Sequence, residues 1–232
     1  AECHAKRGHL AYLTGDKIVA AAEFQTAIRM DKKLGRRGQE SAGLRRLGML
    51  AEEEGQFELA ERFFSDALGL IRDTGDRLGV SRCYHHMGRL RERMGDYAGA
   101  FDRHKQSLKL KEELGDRQGM ATSFHHLGNT YFFTADYEQS RACYERALEL
   151  EQVLGDFHGR GGTLQQLGAI WEQLADSSQA YRHYAAADRV WNHLRAATQM
   201  REVALKVREL RDGLSRAEAE SMAGGIQALA GV

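Results

Sequence analysis

The chain has 232 residues, and its 33 Lys plus Arg balance 33 Asp plus Glu, so the formal net charge is zero; that excludes the basic excess a general nucleic-acid binder carries. With no proline, 42% hydrophobic and 28% charged residues, the composition is that of a soluble, mostly helical protein, and no apolar run approaches the ~20 residues of a membrane span. No signal-peptide pattern and no initiator methionine opens the chain, which starts inside a repeat and is read as a piece of something longer or a trimmed chain.

Five segments repeat one pattern in chain order: HAKRGHLAYLTGD at 4–16, LRRLGMLAEEEGQ at 44–56, YHHMGRLRERMGD at 84–96, FHHLGNTYFFTAD at 124–136 and LQQLGAIWEQLAD at 164–176. Gly8, Gly48, Gly88, Gly128 and Gly168 stand 40 residues apart. Self-similarity at such a period marks a stack of supersecondary units. Numbering each unit from 1 to 40, apolar residues fall at positions 4, 7 and 11, as in Phe124, Leu127 and Tyr131 or Leu164, Leu167 and Trp171. This is one face of a helix, A. A mid-helix glycine costs roughly 1 kcal/mol relative to alanine, so five in register predict the close approach of a second helix, B. That helix is small at position 20 (Ala20, Ala60, Ala100, Ser140, Ala180), bulky at 24 (Phe24, Phe64, His104, Tyr144, Tyr184) and small at 27 (Ala27, Ala67, Ser107, Ala147, Ala187). Small residues beside large ones predict interdigitation of antiparallel helices.

Turns punctuate the pattern. Gly15-Asp16, Gly55-Gln56 and Gly95-Asp96 separate A from B, and Gly75-Asp76, Gly115-Asp116 and Gly155-Asp156 separate B from the next A. Glycine ends a helix in the left-handed conformation and aspartate caps the next. Ala135-Asp136 and Ala175-Asp176 offer a poorer stop, and the turn at Gly35 reads GRRG without the aspartate. After Leu194 the pattern stops. Residues 196–211 predict one more helix, with Met200, Val203, Ala204, Val207 and Leu210 on one side and Arg201, Glu202, Lys206 and Arg208 facing elsewhere; a helix with one polar face closes an open stack. Ser215-Arg216-Ala217-Glu218 has the form of a capping box,. The uncharged end at 224–232, GGIQALAGV, is either disordered or docked on a groove. Cys3, Cys83 and Cys143 are odd in number and have no CxxC spacing, which predicts reduced, mostly buried thiols in a cytoplasmic setting.

Phe124-x2-Leu127-Gly128-x2-Tyr131 and Ala60-x3-Phe64 resemble the tetratricopeptide repeat pattern W-x2-L-G-x2-Y followed by A-x3-F,. The unit is 40 residues rather than 34 and lacks the terminal proline,, so helix B should run further. The Leu114-Gly115-Asp116 and Leu154-Gly155-Asp156 turns are similar to the long-repeat branch that includes Pins-type polarity scaffolds, kinesin light chains and the sensor regions of bacterial multidomain regulators. The resemblance implies an all-α, right-handed superhelical solenoid of antiparallel helix pairs. It divides the chain into five repeats over 1–195, a C-terminal capping helix over 196–211, and a short helix and tail over 212–232. It also implies that the free face of the A helices lines a concave surface that binds extended peptides.

No P-loop, HExxH or EF-hand pattern is present,, and no cofactor is expected. Gly159-Arg160-Gly161-Gly162 could be taken for a phosphate cradle, but it lies in register with Gly79 and Gly119 and reads as the opening of a helix. His85-His86 and His125-His126 raise a metal site across neighbouring A helices, yet the in-register residues Arg45 and Gln165 are not usual ligands,; a polar groove wall is the plainer reading, and no metal is expected. His104 stands where other units have an aromatic and reads as a core histidine.

The free face of helix A carries the better candidates. Positions 2, 5, 9 and 12 present Arg45, Met49 and Glu52, then Arg82, His85, Arg89 and Glu92, then Thr122, His125, Asn129 and Phe132, then Gln165 and Glu172. The predicted peptide-binding groove is Arg45, Arg82, His85, Arg89, His125, Asn129 and Phe132. Arginine forks suit carboxylates, an asparagine amide bonds a peptide backbone in both directions, and Phe132 and Tyr12 are aromatics on a wet face that suit anchors. The bland alternative is a solvated face with Arg89 and Glu92 paired along the helix. The expected function is a protein–protein interaction scaffold for an extended, acidic segment, with a protein or peptide partner, another domain of the same polypeptide included, and neither nucleic acid nor membrane. The alternatives are a sensor or autoinhibitory module of a larger regulator, and an enzyme or metal protein using the histidines.

Overall fold

A computed structural model describes residues 1–232 apart from the side chain of Arg216. Among the described residues there are thirteen α-helices and no strand, arranged in two compact units, Ala1–Gly115 and Asp116–Val232. The first unit holds three antiparallel pairs: α1 (Glu2–Leu13) with α2 (Lys17–Lys33), α3 (Arg37–Glu53) with α4 (Phe57–Ile71), and α5 (Arg77–Arg93) with α6 (Tyr97–Leu114). The second holds α7 (Arg117–Phe133) with α8 (Tyr137–Leu154) and α9 (Phe157–Gln173) with α10 (Ser177–Leu194), followed by α11 (Ala197–Asp212), α12 (Arg216–Ser221) and α13 (Ala223–Ala230). Odd-numbered helices up to α9 are the A helices of the sequence pattern, and even-numbered ones are the B helices. No helix among the described residues is long and apolar enough to cross a membrane.

One contact recurs in every pair and explains the register glycines. A Cβ built on Gly8 would lie 2.7 Å from the Phe24 ring, one on Gly128 2.8 Å from Tyr144, and one on Gly168 2.9 Å from Tyr184. Gly48 meets Phe64 and Gly88 meets His104 in the same way. The bulky position 24 of helix B thus sits in a notch that only glycine leaves open. Phe24, Phe64, His104, Tyr144 and Tyr184 are all buried. The small residues expected beside the glycine play a supporting part: at Gly128 the Ser140 hydroxyl donates to the glycine carbonyl at 2.8 Å. Hydroxyls also tie the two helices of a pair in the first unit, Ser41 Oγ of α3 to the Ala67 carbonyl of α4 and Ser107 Oγ of α6 to the Ser81 carbonyl of α5, both at 2.9 Å.

The caps form as the turns predict. Asp16, Asp76, Asp96, Asp116, Asp136, Asp156 and Asp176 each accept from the backbone N–H three residues on; such a cap contributes typically about 1 kcal/mol. Gly35 takes φ +67°, but Arg36, standing in for the aspartate, makes no side-chain cap. Ala135, Ala175 and Arg195 adopt φ of 60°, 57° and 55°, a left-handed conformation that costs an L-residue about 1–2 kcal/mol.

The end of the chain differs in part from its expected form. Val203 of α11 is buried, with Met200, Val207 and Leu210 packed beside it on the core of the second unit. Ala204, expected on that side, is exposed, and Lys206, expected to face away, is half-buried because its Nζ reaches Glu172 Oε1 at 2.8 Å. Ser215 and Glu218 form the capping box of α12. Residues 223–230, whose sequence left disorder and docking open, form a helix: α13 packs on α10, buries Ile226 and Ala230, and is held by Arg160 of α9, whose Nη1 donates to the Ala230 carbonyl at 2.7 Å. Cys83 is buried and Cys143 half-buried, but Cys3 is exposed. Burial pushes the Cys143 thiol up to about 11.

Candidate functional site

The free faces of α1, α3 and α5 bound a cleft of about 450 Å³ in the first unit. Helical spacing brings Arg45 and Arg46 to it from α3, Arg82, His85 and His86 from α5, and His9 and Tyr12 from α1, with Met49 and the Phe24 ring as apolar wall. Three of the predicted groove residues, Arg45, Arg82 and His85, therefore line one cavity. No Asp or Glu lines it. Arg46 lies over the Phe24 ring, 5.6 Å from its centroid, and His86 stacks on Phe64 at 5.5 Å. Arg45 is partly buried, and its Nε is buried without a hydrogen-bond partner. Burial pulls the Arg45 pKa down; Cys83 opposes this, the neighbouring Arg82 and Arg46 charges add to it, and Asp76 opposes it in turn. A guanidinium so placed remains charged, and an arriving anion would relieve it.

Arg89 has a different use. Its Nη2 donates to Glu52 Oε1 at 3.2 Å, and Arg93 Nη1 donates to the Glu52 carbonyl at 2.8 Å. The Glu52 side chain is only 1% exposed, so Arg89 and Arg93 jointly compensate a buried carboxylate on the preceding A helix. Pairing along the helix is absent in a specific sense: Glu92 lies instead 3.3 Å from His104 Nε2. His104 is fully buried against Gly88, as a core histidine should be. Tyr12, read from sequence as a wet aromatic, donates its hydroxyl to Glu53, which Lys17 Nζ also approaches at 3.1 Å.

In the second unit the groove-side residues are built into networks. Asn129 Oδ1 accepts from the Tyr144 hydroxyl at 2.5 Å, which fixes the orientation of its amide group. His125 Nδ1 lies 3.0 Å from Thr163 Oγ1, and that hydroxyl donates at 3.0 Å to Glu151 Oε1. Phe132 is half-buried, edge-on to Tyr137 and Phe133 at 5.7 and 5.8 Å; Phe133 itself is exposed. Gln165 accepts from Trp191 Nε1 at 2.8 Å, and Glu172 accepts from the Tyr184 hydroxyl at 2.7 Å. The glycine run at 159–162 lies within the first two turns of α9: Gly159 N–H donates to Asp156, and Gly161 receives the Trp191 ring. His9, Arg46 and Met49 belong to the cleft although the predicted set omits them; His9 and Met49 stand at position 9 of their units, on the face read as free, and Arg46 adjoins Arg45 in the sequence.

Residues 39–113 and 120–159 match family profiles described as tetratricopeptide repeat. No curated protein matches the sequence. Among solved structures, BtubC (BKLC) from P. vanneervenii is similar at a TM-score of 0.74 and 18% identity, over 90% of this chain and 89% of that one. The Rap conjugation gene regulator of the plasmid pLS20, solved with the Phr* peptide, gives a TM-score of 0.73 and 14% identity over 97% of this chain and 62% of its own. A signal transduction ATPase with numerous domains and a tetratricopeptide repeat sensor, from Pyrococcus horikoshii, gives a TM-score of 0.74 and 16% identity over 94% of this chain and 36% of its own. At these identities the likeness is one of fold.

Proposed function

The chain belongs to the tetratricopeptide repeat family, and on that premise we propose that it is a protein-interaction module whose A helices receive an extended, acidic segment of a partner. The observation that carries this reading is the cleft between α1, α3 and α5, where Arg45, Arg46 and Arg82 gather with no acidic residue on the lining. Some other arginines of the same unit, by contrast, are matched to carboxylates, as Arg7 is to Glu23 at 2.7 Å and Arg89 is to Glu52. In the second unit Asn129, with its carbonyl oxygen fixed by Tyr144, would donate to a backbone carbonyl, and Phe132 would pack an apolar side chain.

The Rap regulator solved with a peptide is the neighbour most in keeping with this reading. A second reading, a sensor module of a larger regulator, is favoured by the ATPase, of which the matched part makes up 36% and which carries a tetratricopeptide repeat sensor. The test is recovery of partners by pull-down, mapping of the bound segment, and titration of that segment at two salt concentrations and two pH values. Affinity is expected to fall with salt, because exposed charges are screened beyond ~8 Å at physiological ionic strength. Arg82→Gln is the informative variant, since Arg82 is exposed and makes no ion pair, whereas Arg89→Ala would also strand Glu52. A charge-assisted hydrogen bond contributes roughly 1.5–3 kcal/mol, so Arg82→Gln should weaken binding by about tenfold. Binding indifferent to both salt and Arg82 would move the interaction surface to the B helices or the tail.

A further inference from the structure

We propose that the cleft between α1, α3 and α5 is a site for a phosphoryl monoester carried on a peptide side chain, recognised by Arg45, Arg46 and Arg82; this rests on the groove reading above and names the chemistry of its ligand.

The argument begins with charge. The chain is neutral as a whole, with 33 basic and 33 acidic residues, and five arginines of the first unit have carboxylate partners: Arg7 with Glu23, Arg77 with Glu113, Arg89 and Arg93 with Glu52, Arg91 with Glu61 and Asp96. Arg45, Arg46 and Arg82 have no ion pair among the described residues, and all three line one cavity together with His9, His85 and His86. Three fixed positive charges in one concavity repel each other, and the side chain most enclosed among them, Arg45, holds a buried Nε–H with nothing to accept it. An unsatisfied buried donor costs about 1–3 kcal/mol, more on a charged group. An arrangement that is unfavourable when empty favours a ligand that brings both negative charge and acceptors.

A carboxylate supplies part of that. It carries a single charge and two oxygens, and one guanidinium fork satisfies it. A phosphoryl monoester carries about −1.5 to −2 near neutral pH and offers three strong acceptor oxygens, which matches three guanidinium groups better in both charge and number. The geometry is also held in advance. Arg46 is laid over the Phe24 ring, Arg45 is enclosed, and Arg82 stands exposed at the mouth. The volume of about 450 Å³ exceeds what a phosphoryl group fills. The remaining lining, Tyr12, Met49 and Phe24, is suited to the carbon atoms of the side chain that bears it.

The experiment uses the full chain and three capped pentapeptides that differ only at the centre: phosphothreonine, threonine and glutamate, with inorganic phosphate as a fourth probe. Binding is read by calorimetry and by the arginine Nε–H resonances in ¹H–¹⁵N spectra. The expected result is that the phosphothreonine peptide shifts the Arg45 Nε–H signal and binds at least about tenfold more tightly than the glutamate peptide. Arg82→Gln, whose thermal melt should match the parent's, is expected to weaken that binding by about tenfold and to narrow the preference over glutamate; Arg45→Gln should abolish the preference. Equal binding of the phosphothreonine and glutamate peptides overturns the proposal while leaving an acidic-segment groove intact. Inorganic phosphate binding as tightly as the phosphopeptide overturns the peptide part and leaves a free-anion site. No phosphopeptide binding at millimolar concentration, with a pulled-down partner that still responds to salt and to Arg82→Gln, overturns only this inference; a partner indifferent to both overturns the groove reading as well.

Discussion

Glu151 offers the sharpest test of the interior of the second unit. It lies on α8, is 3% exposed, accepts from Thr163 Oγ1 at 3.0 Å through Oε1, and leaves Oε2 buried without a partner. Burial drives its pKa from 4.5 up to about 7; the Thr163 hydrogen bond opposes this, Asp156 adds to it, and Arg160 opposes it. The sign follows from linkage. Below about pH 4.5 the carboxyl is protonated in both folded and unfolded chains, and burial exacts nothing. As pH rises, the unfolded chain releases the proton first, and above about pH 7 the folded chain must bury a charge. Stability is therefore fully present at low pH and lost as pH rises through the folded pKa. At 1.36 kcal/mol per unit, the shift from 4.5 to about 7 corresponds to about 3 kcal/mol. Glu151→Gln keeps the acceptor for Thr163 and cannot ionise. The stability difference between parent and variant should change by about 3 kcal/mol between pH 4.5 and pH 8, in favour of the variant at the higher pH. Urea unfolding followed by tryptophan emission measures this in the right place, because both tryptophans, Trp171 and Trp191, belong to the second unit. Parallel pH profiles for the two proteins would refute the assignment of Glu151 as a buried neutral acid.

Three further outcomes follow from the packing and the turns. Gly128→Leu forces a side chain into the Tyr144 ring and should cost about 1–3 kcal/mol or more; a thermal melt equal to the parent's would remove the notch argument. Ala135→Gly and Ala175→Gly relieve left-handed alanines and should each stabilise by about 0.5–1 kcal/mol, the relief of conformational strain less the added freedom of the unfolded chain, read as a rise in the urea midpoint. Truncation after Leu194 uncovers the face now covered by Val203, Ile226 and Ala230, and should lower the melting temperature or produce aggregates visible in light scattering; an equally stable, monodisperse product would count against a capping role for α11.

What could be read from the amino acids was whatever is local or strictly periodic. The 40-residue spacing of Gly8 to Gly168 and the repeated ring at position 24 are such features, and so are the aspartate caps, each of which closes within three residues. Contacts that depend on which surfaces meet were not legible. Arg45 and Arg89 look equivalent in the sequence, two arginines on the free faces of neighbouring A helices, yet Arg89 is committed to a carboxylate 37 residues away while Arg45 keeps a buried N–H unpartnered. Asn129 likewise gave no sign that a tyrosine fifteen residues on would donate to its oxygen. The tail at 224–232 carries no charge pattern, and its place on α10 depends on Arg160, 70 residues before the carbonyl it holds.

The ring that fills each glycine notch is not always a plain hydrocarbon. In three pairs its far end is polar and touches a residue on the open face of helix A: His104 approaches Glu92, the Tyr144 hydroxyl reaches Asn129, and the Tyr184 hydroxyl reaches Glu172. Each such ring is at once a wedge between two helices and a handle extending to the face where a ligand would lie. A molecule that gripped Asn129 would steady the wedge behind it, so its arrival would be felt as slower amide exchange on α8, a helix it need never touch. The purely hydrocarbon wedges, Phe24 and Phe64, have no such handle, and the pairs they lock would report occupancy only through direct contact.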